Sequence, residues 1–237
     1  MPTRKKTIPN SSPRARIRSP FLLFLVIIAI GTVIYLLLRL SYAPLEQGTP
    51  KGIVNLSHVT PGTLTPLGEA SAPVTLVIFS DMQCPFCRSF YANAYQDIKR
   101  EYVDTGKVKI YFRHFPLATH ATARKSAEAL SCANDQGFMW QFHDLMFDKQ
   151  QEIDSRNTVE YSVDDIKDWA RDLPMNTATF DSCLDSGKYI QAVEQDMQDG
   201  LIAGINGTPS IFINDARIIG SQPFEAYRAL IDQKLAE

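Results

Sequence analysis

The N-terminal part of the sequence lacks charge of one sign and then lacks charge altogether. Residues 1–20 contain no acid, and residues 21–38 contain no charged residue. Residues 1–20 do carry six basic side chains, which are Arg4, Lys5, Lys6, Arg14, Arg16 and Arg18. The net charge of the chain is −2, so the rest carries −8. Because the apolar run follows the basic segment directly, we assign both to a membrane and expect no nucleic-acid binding.

The uncharged run is long enough to cross a bilayer once. As a helix, its roughly 18 residues span about 27 Å, close to the thickness of the hydrocarbon core. The preceding positive charge predicts a basic cytoplasmic tail at 1–20 and a single transmembrane helix, a signal anchor, at 21–40. The remainder is then periplasmic or extracellular. A cleaved signal peptide is the alternative, since Ser41, Tyr42 and Ala43 resemble a cleavage site, but the run exceeds the usual 7 to 15 residues.

The next segment lacks any periodic pattern. Residues 41–72 are rich in Pro, Gly, Thr and Ser, which predicts an extracytoplasmic linker. A short edge strand at 52–56 is an equally good interpretation of that piece. The whole sequence also lacks internal repeats with a period of 20 to 50 residues.

Residues 73–237 have the pattern of an α/β domain. Residues 74–80 form a β-branched, apolar run typical of a strand that is buried on both faces. Further strands are predicted at 108–114, 210–213 and 217–219, the last two joined by a turn at Asn214 and Asp215. Helices are predicted at about 85–102, 118–134, 137–147, 163–171, 177–184, 188–203 and 223–235. A helical insertion at about 118–203 thus separates a β-α-β unit from a β-β-α unit.

Cysteine is scarce, and two of the four cysteines stand at the predicted turn from strand to helix. Cys84-Pro85-Phe86-Cys87 would place Cys84 at a helix N-terminus, where free N–H groups and the helix dipole favour the thiolate. We expect an exposed Cys84 with a pKa of roughly 3.5 to 7.5, below the usual value of about 8.5. Cys87 lies one turn later and is expected to be more buried. Disulfide exchange needs this attacking thiolate and this resolving thiol, with no further cofactor.

Other interpretations of the four cysteines are weaker. Zinc needs a second close ligand pair, but Cys132 and Cys183 are far apart and neither has a histidine at ligand spacing, so we expect no metal. A purely structural disulfide between Cys84 and Cys87 is a weaker interpretation, because a turn from strand to helix would leave Cys84 exposed and activated. Because the count is even and the domain is exported, Cys132 and Cys183 are predicted to form a structural disulfide, with two buried free thiols as the alternative.

At this point the sequence resembles the DsbA-like thioredoxin-fold family of thiol-disulfide oxidoreductases. The likeness covers about residues 70–235 and depends on four motifs in the family's order. They are FSDMQCPFC at 79–87, FRHFPL at 112–117 with His120, the segment 132–140 with CA and QGFMW, and GTPSIFIN at 207–214. The resemblance implies a thioredoxin-like fold and a cis proline at Pro209 that faces the cysteines. It also implies that the backbone of Thr208 pairs with an extended substrate chain.

The resemblance further implies an oxidase that acts on unfolded or reduced exported proteins. A quinone-linked membrane partner of the DsbB or VKOR type would then reoxidise it. We expect a monomer, because residues 41–72 are too short for the dimerisation domain of the related isomerases. A reductase or isomerase on the same site, and a chaperone that holds Cu(I) between two thiolates, remain open as alternatives.

Several residues near the motif have two interpretations each. Pro85 and Phe86, between the cysteines, could tune the thiolate. Asp81 could relay protons to Cys87 or accept hydrogen bonds from the turn. His114 and His120 could stabilise the thiolate, but we favour capping or packing for both.

Overall fold

In this computed structural model the backbone is described at residues 20–41 and 59–237, and the side chains at 25–36 and 59–237. The chain divides into two units, residues 1–48 and 49–237. The first contains helix α1, Pro20–Ser41. No helix among the described residues is long and apolar enough for a membrane crossing. The anchor at 21–40 therefore remains a prediction, and the basic tail and the strand at 52–56 lie outside the described residues.

A four-stranded sheet organises the second unit. Its strands stand in the order β2-β1-β3-β4, with β1 parallel to β2 and antiparallel to β3. They are β1 Val74–Ser80, β2 Val108–His114, β3 Ser210–Ile213 and β4 Ala216–Ile219. Asn214 makes the β3–β4 turn with a φ of 51°, a conformation that asparagine tolerates better than most residues. The predicted strands are confirmed to within one residue.

Helix α2 links the two parallel strands. It begins at Pro85 and runs unbroken to Val103, through Pro85–Phe90, a π-helical stretch Tyr91–Tyr95, Gln96–Ile98 and a second π-helical stretch Lys99–Val103. Proline suits this first position because its missing N–H would have no partner in the helix. The sequence predicts this helix with nearly the same bounds.

The helical insertion between β2 and β3 contains five helices among the described residues. They are α3 Ala123–Asn134, α4 Met139–Ile153, α5 Val163–Ala170, α6 Thr177–Ser186 and α7 Ile190–Ile202. The C-terminal helix α8 spans Phe224–Leu235. Helix α3 starts five residues later than predicted. The backbone N–H of Leu117 donates instead to the side chain of Asp81, and that of Thr122 donates to the side chain of Gln83. Residues 117–122 are thus attached to the turn after β1.

Strand β1 is buried on both faces, as its composition predicts. Leu76 and Ile78 lie in the main core, which α2, α8 and the insertion share. Val77 and Phe79 point to a smaller cluster on the opposite face. Because β1 is buried on both faces, its position in the sheet is fixed, and so is the position of the turn that follows it.

Part of the predicted linker belongs to the folded domain. Leu64 and Ala72 are buried, and Leu67 forms a bridge with Ile110 of β2. Thr60 accepts a 2.8 Å hydrogen bond from the buried Arg113, whose guanidinium also pairs with Asp196 and Asp199. The expected linker at 41–72 is therefore too long at its C-terminal end, because residues 59–72 pack on the domain.

Candidate active site

The two close cysteines lie where β1 turns into α2, at the centre of the domain. Cys84 occupies the N-cap position of α2, with Pro85 in the first turn. Both cysteines are free thiols. Cys84 is 2% exposed and Cys87 is 1% exposed. The expectation of an exposed Cys84 is wrong, because the turn is covered by other parts of the chain rather than projecting from the sheet.

The loop before β3 supplies part of this cover. The Thr208–Pro209 peptide bond is cis, as the resemblance implies. The Cys84 sulfur lies 3.6 Å from the carbonyl oxygen of Thr208, to which it donates a hydrogen bond when it is protonated. Residues that are 124 positions apart in the sequence therefore meet at the reactive sulfur. Phe86, in contrast, is 64% exposed beside the motif.

Hydrogen bonds favour the ionised form of Cys84. The hydrogen bond from the Cys87 thiol lowers the pKa of Cys84 most, and the Thr208 side chain and the backbone N–H of Cys87 act in the same direction against burial. The result is a pKa of about 6, down from 9.0. At pH 7 roughly nine-tenths of such a group is thiolate. The direction agrees with the sequence-based expectation, but named hydrogen bonds carry the effect as well as the position at a helix end.

The two thiols differ strongly. Burial raises the pKa of Cys87 well above 9.0, and the neighbouring charge of Cys84 and of Asp81 raises it further. The backbone N–H of Asp81 donates to the Cys87 sulfur over 3.5 Å. In the reduced protein at neutral pH, Cys84 is therefore charged and Cys87 is a neutral thiol, which is the difference that an attacking and a resolving sulfur require.

The helical insertion holds the turn between β1 and α2. Gln150 of α4 and Tyr161 both donate to the carbonyl oxygen of Met82, over 2.7 and 3.3 Å. Gln83 is fully buried, donates to the carbonyl of Val159 and accepts from the N–H of Thr122. Sequence reasoning missed Gln83. Its place between the aspartate and the first cysteine was the available signal, but its partners lie about 40 and 76 residues away.

The buried carboxylate of Asp81 accepts three hydrogen bonds. Its oxygens accept from the N–H groups of Gln83 and Leu117, at 2.7 and 2.9 Å, and from Nδ1 of His120 at 2.6 Å. Asp81 does accept hydrogen bonds from the turn. His120 was expected to cap or to pack, but the structure places it in an ion pair with Asp81.

His114 has a structural place. It is buried, its Nε2 lies 2.9 Å from the Ser131 hydroxyl, and burial lowers its pKa to about 4. His114 is therefore neutral at physiological pH, and the packing interpretation holds for it.

The other two cysteines lie within the insertion. Cys132 of α3 and Cys183 of α6 form a disulfide, with their Cα atoms 5.9 Å apart. Neither is therefore free to complete a zinc site with Cys84 and Cys87. Within the part of the chain that the structure describes, no group of three or more His, Cys, Asp or Glu side chains could hold a metal ion.

Comparison with known proteins agrees with this arrangement. A family model described as thioredoxin matches residues 60–233. A Na(+)/H(+) antiporter NhaA 3 of Salinispora tropica is 30% identical over 78% of this chain, but the match spans only 27% of the antiporter. The chain thus spans about a quarter of the length of the first relatives it matches.

Two further relatives match over nearly their whole length. A probable disulfide bond formation protein D of Bacillus anthracis is 27% identical over 89% of this chain and 91% of its own. The crystal structure of oxidised BdbD from Bacillus subtilis covers 78% of this chain and 96% of its own, with a TM-score of 0.65 and 24% identity, which shows the same fold. The chain belongs to the thioredoxin family, and it is similar in sequence and in fold to these disulfide bond formation proteins.

Proposed function

We propose that this chain is an oxidase that transfers its Cys84–Cys87 disulfide to exported proteins. One observation carries the proposal, namely two free thiols at the N-terminus of α2, where hydrogen bonds lower the pKa of Cys84 to about 6 and burial raises the pKa of Cys87 well above 9.0. A stabilised thiolate favours the reduced form of the enzyme, and a disulfide whose reduced form is stabilised is a strong oxidant. The same low pKa makes Cys84 a good leaving group when the product disulfide is released.

The reaction takes two exchange steps. A substrate thiolate attacks the Cys84 sulfur, the Cys84–Cys87 bond breaks, and Cys87 leaves and takes up a proton. A second substrate thiolate then attacks the substrate sulfur of this mixed disulfide and releases Cys84 as a thiolate. Two electrons pass from the substrate dithiol to the enzyme. A quinone-linked membrane protein of the DsbB or VKOR type would then accept them and restore the disulfide.

Substrates would bind at the surface around the cis proline. Thr208 lies directly against Cys84, so a chain that pairs with its backbone would bring a substrate sulfur to the reactive atom. Main-chain pairing does not depend on side-chain identity, which suits an enzyme for many unfolded or reduced exported proteins. The exposed ring of Phe86 would add apolar contact.

The proposed location is the outer face of the cell membrane, with a cytoplasmic N-terminus and a monomeric domain. The disulfide between Cys132 and Cys183 supports it, since such bonds persist in oxidising compartments. The basic segment before the apolar run also supports this location. The run itself lies within helix α1. Anchoring would keep the domain near its reoxidising partner.

Trapping of substrates tests the proposal. In cells that express Cys87→Ala, exported proteins should accumulate as mixed disulfides on Cys84, and the control Cys84→Ala should trap none. The wild-type pool should be mainly oxidised, since a mainly reduced pool would indicate a reductase. Purified protein should oxidise a reduced, unfolded substrate. Stoichiometric copper with no oxidation would support the chaperone alternative instead.

A further inference from the structure

The ion pair of Asp81 and His120 connects the buried turn to the surface. The Asp81 carboxylate is buried beneath the cysteines, whereas the His120 side chain is 11% exposed. The hydrogen bond between Asp81 Oδ2 and His120 Nδ1 measures 2.6 Å. A proton on this imidazole can therefore exchange with water while its charge acts inside the site.

The charge on His120 depends on the groups that face it. The hydrogen bond to Asp81 raises the pKa of His120 most, burial opposes it, and the negative charges of Asp81, Cys84 and Glu160 raise it further. Asp81 and Glu160 are present in both redox states. Cys84 carries its charge only in the reduced protein, because a disulfide sulfur is neutral. The surroundings of His120 thus differ between the two states by one negative charge.

We propose that His120 takes up a proton when the Cys84–Cys87 disulfide is reduced, so that Asp81 and His120 hold the second proton released by the substrate dithiol. This inference rests on the proposed function for its substrate. The oxidation of two thiols releases two protons and two electrons. Both electrons reach the Cys84 and Cys87 sulfurs, one proton reaches the Cys87 thiol, and the other reaches the imidazole of His120.

The arrangement also accounts for a carboxylate beside two thiols. The charge of Asp81 raises the pKa of both Cys84 and Cys87, which by itself opposes formation of a thiolate. A protonated His120 offsets that charge. His120 is therefore a positioning residue that acts through Asp81. Its imidazolium forms in the reduced protein, in which Cys84 is a thiolate.

A histidine titration tests the proposal directly. NMR of the full chain, with histidine labelled and the His120 signal assigned by its loss in His120→Gln, should show a higher proton affinity in the reduced than in the oxidised protein. We expect at least about a threefold difference, since an opposite charge near a partly screened group has an effect of this order. In Cys84→Ser, reduction should leave the affinity at its oxidised value. Equal titration of wild-type His120 in both states would overturn the proposal.

The pH dependence of the redox equilibrium gives a second readout. Each proton taken up on reduction changes the equilibrium constant tenfold per pH unit, or about 30 mV. Above pH 7, where more than nine-tenths of Cys84 is ionised, Cys87 accounts for one proton, so wild-type protein should exceed the one-proton slope over the range where His120 titrates. His120→Gln should follow the one-proton slope there. An unchanged slope in this variant would contradict the proposal.

A matched control separates the effect of His120 from the general effect of replacing a packed histidine. His143 pairs with Asp144 at 2.8 Å within an aromatic cluster of α2 and α4, and it has no role in the site. His143→Gln should keep the wild-type slope even where it lowers the melting temperature. Oxidation of an unfolded substrate is measured alongside. If all variants oxidise it but the slopes do not differ, only the role of His120 fails. If none does, the proposed function fails.

Discussion

The two cysteine pairs of the domain differ in their bonding state and in their surroundings. Cys84 and Cys87 lie one helical turn apart and are free, whereas Cys132 and Cys183 are 51 residues apart and are bonded. The first pair stands at a helix N-terminus beside a buried aspartate and the loop of the cis proline. The second joins two helices of the insertion. Sequence spacing and surroundings, rather than the sulfur itself, separate the proposed redox pair from the structural disulfide.

The two sulfurs of the first pair have different neighbours, and this difference is the basis of the proposed reactivity. Within the first pair, one sulfur accepts hydrogen bonds that favour its charge and the other is buried as a neutral thiol. An asymmetric pair can open and close in exchange reactions, since one sulfur leaves easily and the other returns. Changes to either pair, to the pH or to Thr208 test this asymmetry.

The largest expected effect belongs to Cys84. Cys84→Ser should abolish oxidation of a reduced, unfolded protein, a loss of more than about a thousandfold, since the hydroxyl cannot form the mixed disulfide. At pH 5, where Cys84 is largely protonated in both the folded and the unfolded reduced protein, the folding stability of the variant should stay within about 1 kcal/mol of the reduced wild type. Activity assays and urea unfolding check both. Residual turnover near the wild-type rate would mean that Cys132 and Cys183 are the redox pair.

Removal of the second pair should have the opposite profile. Cys132→Ala with Cys183→Ala should lower the free energy of unfolding by about 4 kcal/mol, because a closed loop of about 50 residues no longer restricts the unfolded chain. For a domain of this size we expect the melting temperature to fall by about 8–16 °C. Below that temperature, activity should persist. Calorimetry and turnover of the same sample provide the test, and inactivity while folded would contradict it.

The pH dependence of stability should distinguish the reduced from the oxidised protein. The folded-state pKa of Cys84 is about 6 against 9.0 for the free group, so its ionisation stabilises the reduced form above that pKa. This contribution is lost as the pH falls through 6. Relative to the oxidised protein, the reduced protein should gain about 2 kcal/mol between pH 5.5 and 7.5. Parallel urea titrations measure it, and two curves with the same pH dependence would show that Cys84 is not activated.

The smallest expected effect concerns Thr208. Thr208→Val removes the hydroxyl that lowers the pKa of Cys84 while keeping a side chain of similar shape, so this pKa should rise by roughly half a unit to one unit. The change corresponds to about 1 kcal/mol. Thiolate absorbance against pH measures it. Thr179→Val, at an exposed position in α6 next to the second pair, is the control and should leave the pKa of Cys84 unchanged.

The strands and the motif could be predicted because their signals are local. The run at 74–80 is apolar on both faces, and Pro85 marks the first turn of the helix that follows. The prediction of a helix at 118–122 is wrong, since the N–H groups of Leu117 and Thr122 on either side of this turn donate to distant side chains. The same limit explains the linker, because Arg113 binds Thr60 through contacts that no local pattern records.

The residues of the proposed chemistry follow from local sequence, since the spacing of two cysteines around a proline at the end of a buried strand already specifies a thiol pair at a helix N-terminus. The pKa difference between the two thiols depends instead on contacts made in the folded domain. The burial of Cys84, its contact with Thr208 and the charge pair of Asp81 with His120 all arise between segments far apart in the chain. Hydrogen bonds and charges act over a few ångströms in space, so their strength depends on how the segments pack.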